Sequence, residues 1–416
     1  MFINYVEDES APLLFSKTRG IRGKFEMVNT NVTMANTLRR AILTLTPSVG
    51  FRTEPYERSN VVITTNTTPL VNEMIAHRIG MIPIHANPVG FDPDLYEFVI
   101  DKINDDKVND KKEIIDVCAA DFKVYKKNPD NLLEAPVLVP TEDFFPPDPI
   151  TGETVLITRL RPQWNPSAPK EHLVLKAKAS ISTGAENIRW SPVSQASYEY
   201  TRDTDPAHLD AVFGEWLAKT KKITDSSAVT EELKREFETM EIQRCYLTDA
   251  KGNPNHFTFH LESIGVQPIP DIVRSAIAAC ESLVRKYQDM DGTVPENVRI
   301  QQGDTRYPSI DIVFTNEGHT LGNLLETVIV ERNVDGGDSP KVNYVGYKVP
   351  HPLRPEMFVR IALEDTITDP EIQKNMARLA IANACKYLIE TFRSMQSSWT
   401  SLHAPTGGVS ETKEMT

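Results

Sequence analysis

Apolar side chains recur at helical spacing in four stretches of the chain and at alternate positions in four others. In 34–45, Leu38, Ala41, Ile42 and Leu45 stand at i, i+3, i+4 and i+7, one stripe of a helix. In 269–290, Ile272, Ala276, Cys280, Leu283, Val284 and Tyr287 extend such a stripe over about five turns. Pro270 sits near its start, where a missing N–H costs nothing, and Gly292 lies just past its end. In 319–332, Leu321, Leu324, Leu325 and Val328 repeat the pattern. Asp369 and Pro370 open a fourth, longer helix with an N-cap and a first-turn proline. Inside it Ile381, Ala384, Leu388, Phe392 and Met395 approach heptad spacing, a seam that requires a partner helix. Segments 24–29, 255–263, 309–315 and 355–363 alternate with period two and predict strands.

The order is therefore strand, short helix, long insertion, strand, long helix. After a hinge at 291–297 (DGTVPEN) it becomes strand, short helix, strands, long helix. The second half restates the first without the insertion. Thr30-Asn31 followed by Asn36-Thr37-Leu38 finds a counterpart in Thr315-Asn316 followed by His319-Thr320-Leu321. Two copies are too few for a solenoid. They predict an intramolecular dimer, in which each copy's stripes are buried against the other's. The long prolines-rich stretch 136–169 reads as exposed connections interrupted by one strand at 155–160. Segment 101–116 mixes acids and lysines without periodicity, a solvated loop, and 404–416 reads as a disordered tail.

At 416 residues the chain has room for two or three domains with real cores. Its 45 basic and 58 acidic residues leave a net charge of −13, which argues against gripping a nucleic-acid backbone unaided. Cys118, Cys245, Cys280 and Cys385 lie far apart with no CxxC pair, so neither a zinc site nor a disulfide framework is expected, and a reducing compartment is. The acidic N-terminus does not resemble a signal peptide, and no apolar run approaches the roughly 20 residues of a membrane span. A soluble, intracellular chain is the expectation.

Catalytic signatures are sparse. There is no phosphate-cradling GxxxxGK[ST], no GxSxG and no HExxH. His256 and His260 share a strand face two pleats apart, a poor geometry for one metal. Asp289 and Asp291 fall where a helix ends at Gly292, and Asp92, Asp94, Asp143 and Asp148 flank prolines in turns. Arg39-Arg40 can be a solvated basic corner or a docking point. His77 beside the apolar run 79–84 has the pattern of a packed histidine, and the aromatics of 344–352 read as core.

These same segments resemble one family closely. ANTLRRAIL, then EMIAHRIGMIPI about thirty residues on, is similar to the signature of the third-largest subunit of cellular RNA polymerases, shared by the archaeal D subunit and the bacterial alpha N-terminal domain. RWSPVSQASY resembles that family's insertion domain, and NHFTFHLESIGVQPIPDIVRSAI its returning strand and dimerisation helix. From Asp311 on, IVFTNEGHTLGNLLETVI and YVGYKVPHPLRPEMFVRI resemble the small partner subunit, L in archaea. The resemblance covers nearly the whole chain. It implies an α+β fold of two alpha-N-terminal-domain-like dimerisation units forming an intramolecular pseudo-dimer, with a mainly β insertion domain in the first. The expected divisions are 1–50 and 241–292 for the first unit, 51–240 for the insertion, 293–403 for the second unit and 404–416 for the tail.

The implied function is a non-catalytic assembly subunit of a multisubunit DNA-dependent RNA polymerase, a scaffold on which the two large catalytic subunits meet. Asn36, Leu38, Arg39 and Arg40 would contact the second-largest subunit. His77, Arg78, Ile82 and Pro83 would support that platform or seat small zinc-ribbon subunits. His319, Thr320, Leu321, Gly322 and Asn323 would face the largest subunit. Ile277, Leu283, Val284, Ile381, Leu388 and Phe392 would pack the two halves together. DNA would be met only through the complex, and no membrane would be. Many relatives bind zinc or an iron–sulfur cluster through cysteines in the insertion; the corresponding 85–101 has none, so no metal or cofactor is expected. Fused subunits of this kind are familiar from large DNA viruses, which would place the chain in the host cytoplasm or viral factory and extend to the virion; otherwise the nucleus is implied. Two rivals are a metal-dependent hydrolase and a free-standing mimic that engages a host polymerase.

Overall fold

A computed structural model describes residues 1–7, 21–105, 113–129, 131, 134–163, 165, 167, 169–223, 229–303, 308–364 and 369–403. The expected tail and the centre of the acid–lysine segment lie outside these residues. The first half begins with β1 (Phe2–Glu7), β2 (Arg22–Val28), α1 (Val32–Thr44) and β3 (Pro47–Phe51). There follow β4 (Val61–Asn66), α2 (Asn72–Gly80), β5 (Tyr96–Ile103), β6 (Ile115–Cys118), β7 (Lys123–Lys126), β8 (Val137–Val139), β9 (Leu156–Leu160), β10 (His172–Ala177) and β11 (Ala179–Thr183). The first half closes with β12 (Val193–Tyr200), α3 (Pro206–Trp216), α4 (Glu231–Glu236), β13 (His256–Ser263) and α5 (Ile269–Arg285). The second half is β14 (Val298–Gln302), β15 (Ile310–Thr315), α6 (His319–Ile329), β16 (Val342–Lys348), β17 (Glu356–Leu363) and α7 (Pro370–Leu402).

Both halves build the same antiparallel four-stranded sheet, ordered β1-β2-β13-β12 in the first and β14-β15-β17-β16 in the second. The registers correspond: Phe25, Phe259 and Tyr198 stand side by side in one, Ile312, Val359 and Tyr347 in the other. Val193–Tyr200, assigned to the insertion by the expected boundaries, is thus an edge strand of the first unit. Its buried Val193 and half-buried Tyr198 face the core, but the intervening Ser-Gln-Ala-Ser hides the alternation.

Helix starts follow local chemistry. Asn31 caps α1 by accepting the Met34 N–H at 3.0 Å, and Asp369 caps α7 by accepting the Glu371 N–H at 2.8 Å. Asn29 and Asn316 each turn the chain from strand to helix with φ of 54° and 62°, the left-handed region asparagine tolerates. These turns, and not Asn31 with Asn316, are the equivalent points. Asn36 accordingly matches Asn323 rather than His319, one helical turn away from the sequence-based pairing.

One apolar core spans both halves. α1 crosses α6 antiparallel, with Thr33 Oγ1 2.9 Å from Thr327 Oγ1 and Arg40 Nε donating to Thr320 Oγ1 at 2.8 Å. Since Thr33 matches Thr320 and Arg40 matches Thr327, these two bonds are mates across a pseudo-twofold axis. α5 and α7 also run antiparallel, with Trp399 Nε1 on Pro270 O at 3.0 Å and Arg393 Nε on Glu281 at 3.0 Å. Ile277, Leu283, Val284, Ile381, Leu388 and Phe392 are all buried in this core. Trp399 reaches the first sheet, its ring 5.2 Å from that of Phe2 and 4.9 Å from that of Phe25. The hinge is held by Arg378, whose Nε donates to Met290 O at 2.8 Å and Nη2 to Gly292 O at 3.0 Å.

The insertion has its own core around the five-stranded sheet β4-β10-β5-β7-β8. Phe144 and Phe145, inside the proline-rich stretch read as exposed connection, plug it, and the Phe122 and Phe145 rings stack 5.2 Å apart. The prolines fix the chain's path while the two rings supply the anchor. Between β12 and β13, α3 and α4 close over a small cluster of Trp216, Leu217, Phe237 and Cys245.

Candidate docking surface

α1 presents Asn36 and Arg39 half-buried at the surface, and Arg39 places Nε and Nη2 3.1 and 2.9 Å from Asn36 Oδ1. Leu38 is 1% exposed and belongs to the core, because it lies on the stripe that faces the sheet. Arg40 is half-buried and engaged with Thr320, so both residues serve the contact between the halves. Tyr198 lies beside this patch: burial and the neighbouring Tyr200 raise its pKa, and the Arg39 charge opposes that rise.

On α6, His319 is exposed with Nδ1 3.3 Å from Tyr347 OH, and Asn323 is half-buried. Leu321 is fully buried, like Leu38. Gly322 is required by packing, since a Cβ there would lie 2.3 Å from Tyr347 Cδ2. Tyr347 therefore packs as the aromatic pattern predicted, whereas Tyr344 is half-exposed. Burial raises the Tyr347 pKa, the Glu326 charge adds to it, and the Arg40 charge opposes it. Glu326 itself is half-buried and raised by burial.

His77 and Arg78 end α2 and are exposed, which removes the packed-histidine reading. Arg78 Nη2 donates to Leu156 O at 3.0 Å. Ile82 is buried in the insertion core, and Pro83 is half-buried. His77 lines an open groove of about 530 Å³ with Tyr56, Glu57, Val62 and Glu73. A neighbouring anchor is Arg189, which donates to Thr53 Oγ1 at 2.9 Å and Glu54 Oε2 at 2.8 Å. A Cβ on Gly80 would come within 2.6 Å of its Nη1, so that glycine makes room for the guanidinium.

Sequence reasoning did not place Tyr198, Glu326 or Tyr347 beside these candidate surfaces. Pairing Asn36-x-Leu38 with Asn323-x-Leu325, which have the same spacing, would have exposed Glu326 as the counterpart of Arg39. For metal chemistry the donors do not fit. Residues 85–101 offer no thiolate, and among the described residues no three His, Cys, Asp or Glu side chains converge. His256 and His260 instead pair with Glu26 at 2.9 Å and Glu199 at 3.3 Å. Among the described residues no helix is long and apolar enough to cross a membrane.

Two copies of one α+β unit, joined through their helices in a single chain, define a built-in dimerisation module. The comparisons agree with that class. Residues 24–283 and residues 309–398 each match a family model described as the RNA polymerase Rpb3/Rpb11 dimerisation domain. The chain belongs to this family. It is 27% identical over 284 residues to the DNA-directed RNA polymerases I and III subunit rpac1 of Dictyostelium discoideum, covering 61% of this chain and 74% of the relative. It is 25% identical over 285 residues to the RNA polymerase II subunit RPB3 of Schizosaccharomyces pombe, covering 65% and 84%. With subunit Rpo3 of Methanopyrus kandleri it shares 29% identity over 185 residues, covering 43% and 54%.

Proposed function

We propose that this chain is a non-catalytic assembly subunit of a DNA-directed RNA polymerase, both partners of the usual dimerisation pair in one polypeptide. The observation that carries it is the second matched unit at 309–398, folded against the first through α1–α6 and α5–α7. Tethering replaces a bimolecular association by one at roughly millimolar effective concentration. The chain acts within the polymerase, among its other subunits. Asn36 and Arg39 meet the second-largest subunit, and His319 and Asn323 the largest. His77, Arg78 and Pro83 meet small zinc-ribbon subunits, while Leu38, Ile82, Leu321 and Gly322 shape these surfaces from beneath. The units divide as 1–50 with 241–292, 51–240 and 293–403, with Val193–Tyr200 returned to the first. A free-standing mimic would need one docking face, and both halves keep theirs.

The test is to tag the chain in its native source and weigh what co-purifies through a high-salt wash. Two very large chains at one copy each, with transcription activity in the pool, are expected. A lone 46.8 kDa species would remove the assembly role.

A further inference from the structure

We propose that opposite charges at one pseudo-equivalent position, Arg39 in the first half and Glu326 in the second, sort the two large partners: the first patch accepts a carboxylate and the second a lysine or arginine. This rests on the assembly role above. The equivalence follows from two independent features. Asn29 and Asn316 make the same left-handed turn before helices that begin at Val32 and His319, which sets Asn36 against Asn323 and Arg39 against Glu326. The strand registers separately set Tyr198 against Tyr347. Arg39 is the charge felt at Tyr198, and Glu326 is felt at Tyr347 together with the opposing charge of Arg40 from the first half.

Neither charge is spent inside the chain. Arg39 bonds to the neutral Asn36 amide oxygen, and among the described residues neither Arg39 nor Glu326 forms an ion pair. Both are half-buried, and docking would bury them further. Taking an unpaired charge deeper out of water is favourable only against its opposite, and a like charge opposite it is strongly disfavoured. Arg39, with its fork already oriented by Asn36, suits a bidentate carboxylate. Glu326, with Asn323 and His319 on the same helix, suits a cationic side chain. The strand register and the helix start are the same in both halves, and at the Arg39/Glu326 position the charge reverses sign, a repulsive as well as an attractive device.

The experiment uses the full chain co-expressed with the two large polymerase subunits of its own source, comparing Arg39→Glu, Glu326→Arg and the milder Glu326→Gln. Each reversal should lower retention of one large chain by at least about tenfold and leave the other, with the two variants losing different chains. Glu326→Gln should weaken the same chain as Glu326→Arg and flatten the salt dependence of its release, with no loss of hydrogen-exchange protection in the second half. Retention of both chains within about twofold by both reversals, or loss of the same chain by both, would overturn the inference while leaving the assembly role intact. A wild-type chain that retains neither would remove the role and the inference together.

Discussion

Trp399 is the sharpest place to ask whether the two halves are one folding unit. It lies in α7 of the second half, fully buried, with its ring edge-on to Phe2 and Phe25 of the first sheet and its indole N–H on Pro270 O. Trp399→Ala should cost about 3–5 kcal/mol from lost burial and the cavity left behind. The lost hydrogen bond contributes about 1 kcal/mol of its own, and the two are not additive. Trp399→Phe keeps most of the apolar contact and drops the N–H, so about 1–2 kcal/mol is expected. A melting curve is a poor readout, because the insertion has a separate core and can unfold separately. Native-state hydrogen exchange resolves the question by position. The opening free energy should fall in β2, around Phe25 and Met27, as much as in α7 around Leu388 and Met395. Loss confined to the last turns of α7, with β2 unchanged, would refute a shared core and reduce Trp399 to a local anchor.

Gly322→Ala should destabilise the second half by about 1–3 kcal/mol, because the new methyl meets the Tyr347 ring, and adding Tyr347→Ala should recover part of that loss relative to Tyr347→Ala alone; a denaturant series on the four proteins measures the coupling. Burial raises the Glu326 pKa, so the folded state holds its proton more tightly than the unfolded state. Stability from this group therefore falls as pH rises from the unfolded value, about 4.3, through the folded one, and Glu326→Gln should be more stable than wild type at pH 7 and equal to it below about pH 4; an advantage that grows on acidification would contradict the assignment. Cys280 and Cys385 are buried with pKa pushed up to about 12, so a thiol reagent at pH 8 should spare both until the core opens and modify the partly exposed Cys118 first. Peptide mapping after timed alkylation reads the order directly.

The dimerisation units were legible because their buried faces are long and periodic. The stripes of α1, α5, α6 and α7 and the alternating strands carry the whole shared core. What was hidden had physical causes. β12 lost its signal to small polar residues between Val193 and Tyr198. The insertion core was obscured because Phe144 and Phe145 sit among prolines, where composition suggests surface. The candidate docking residues were read as a block, although a helix turns every third or fourth residue away from its neighbours. That geometry sends Leu38 and Leu321 inward and leaves Asn36, Arg39, Asn323 and Glu326 at the surface.

Fusion changes which of these residues must match. In a pair of separate chains the α1–α6 and α5–α7 contacts together must supply enough affinity to hold the partners at cellular concentrations. In one chain the tether at 291–297 supplies proximity, and Arg378 and Lys386 fasten it to α7. The contact between halves need then only fix orientation, a task suited to the Thr33–Thr327 and Arg40–Thr320 bonds, each worth about 1 kcal/mol. With the inner contact relieved of affinity, the outward positions of the same helices are free to diverge. Arg39 and Glu326 sit at those outward positions and differ in sign. A pseudo-symmetric scaffold with opposite charges at equivalent outward positions offers two chemically distinct faces from one fold.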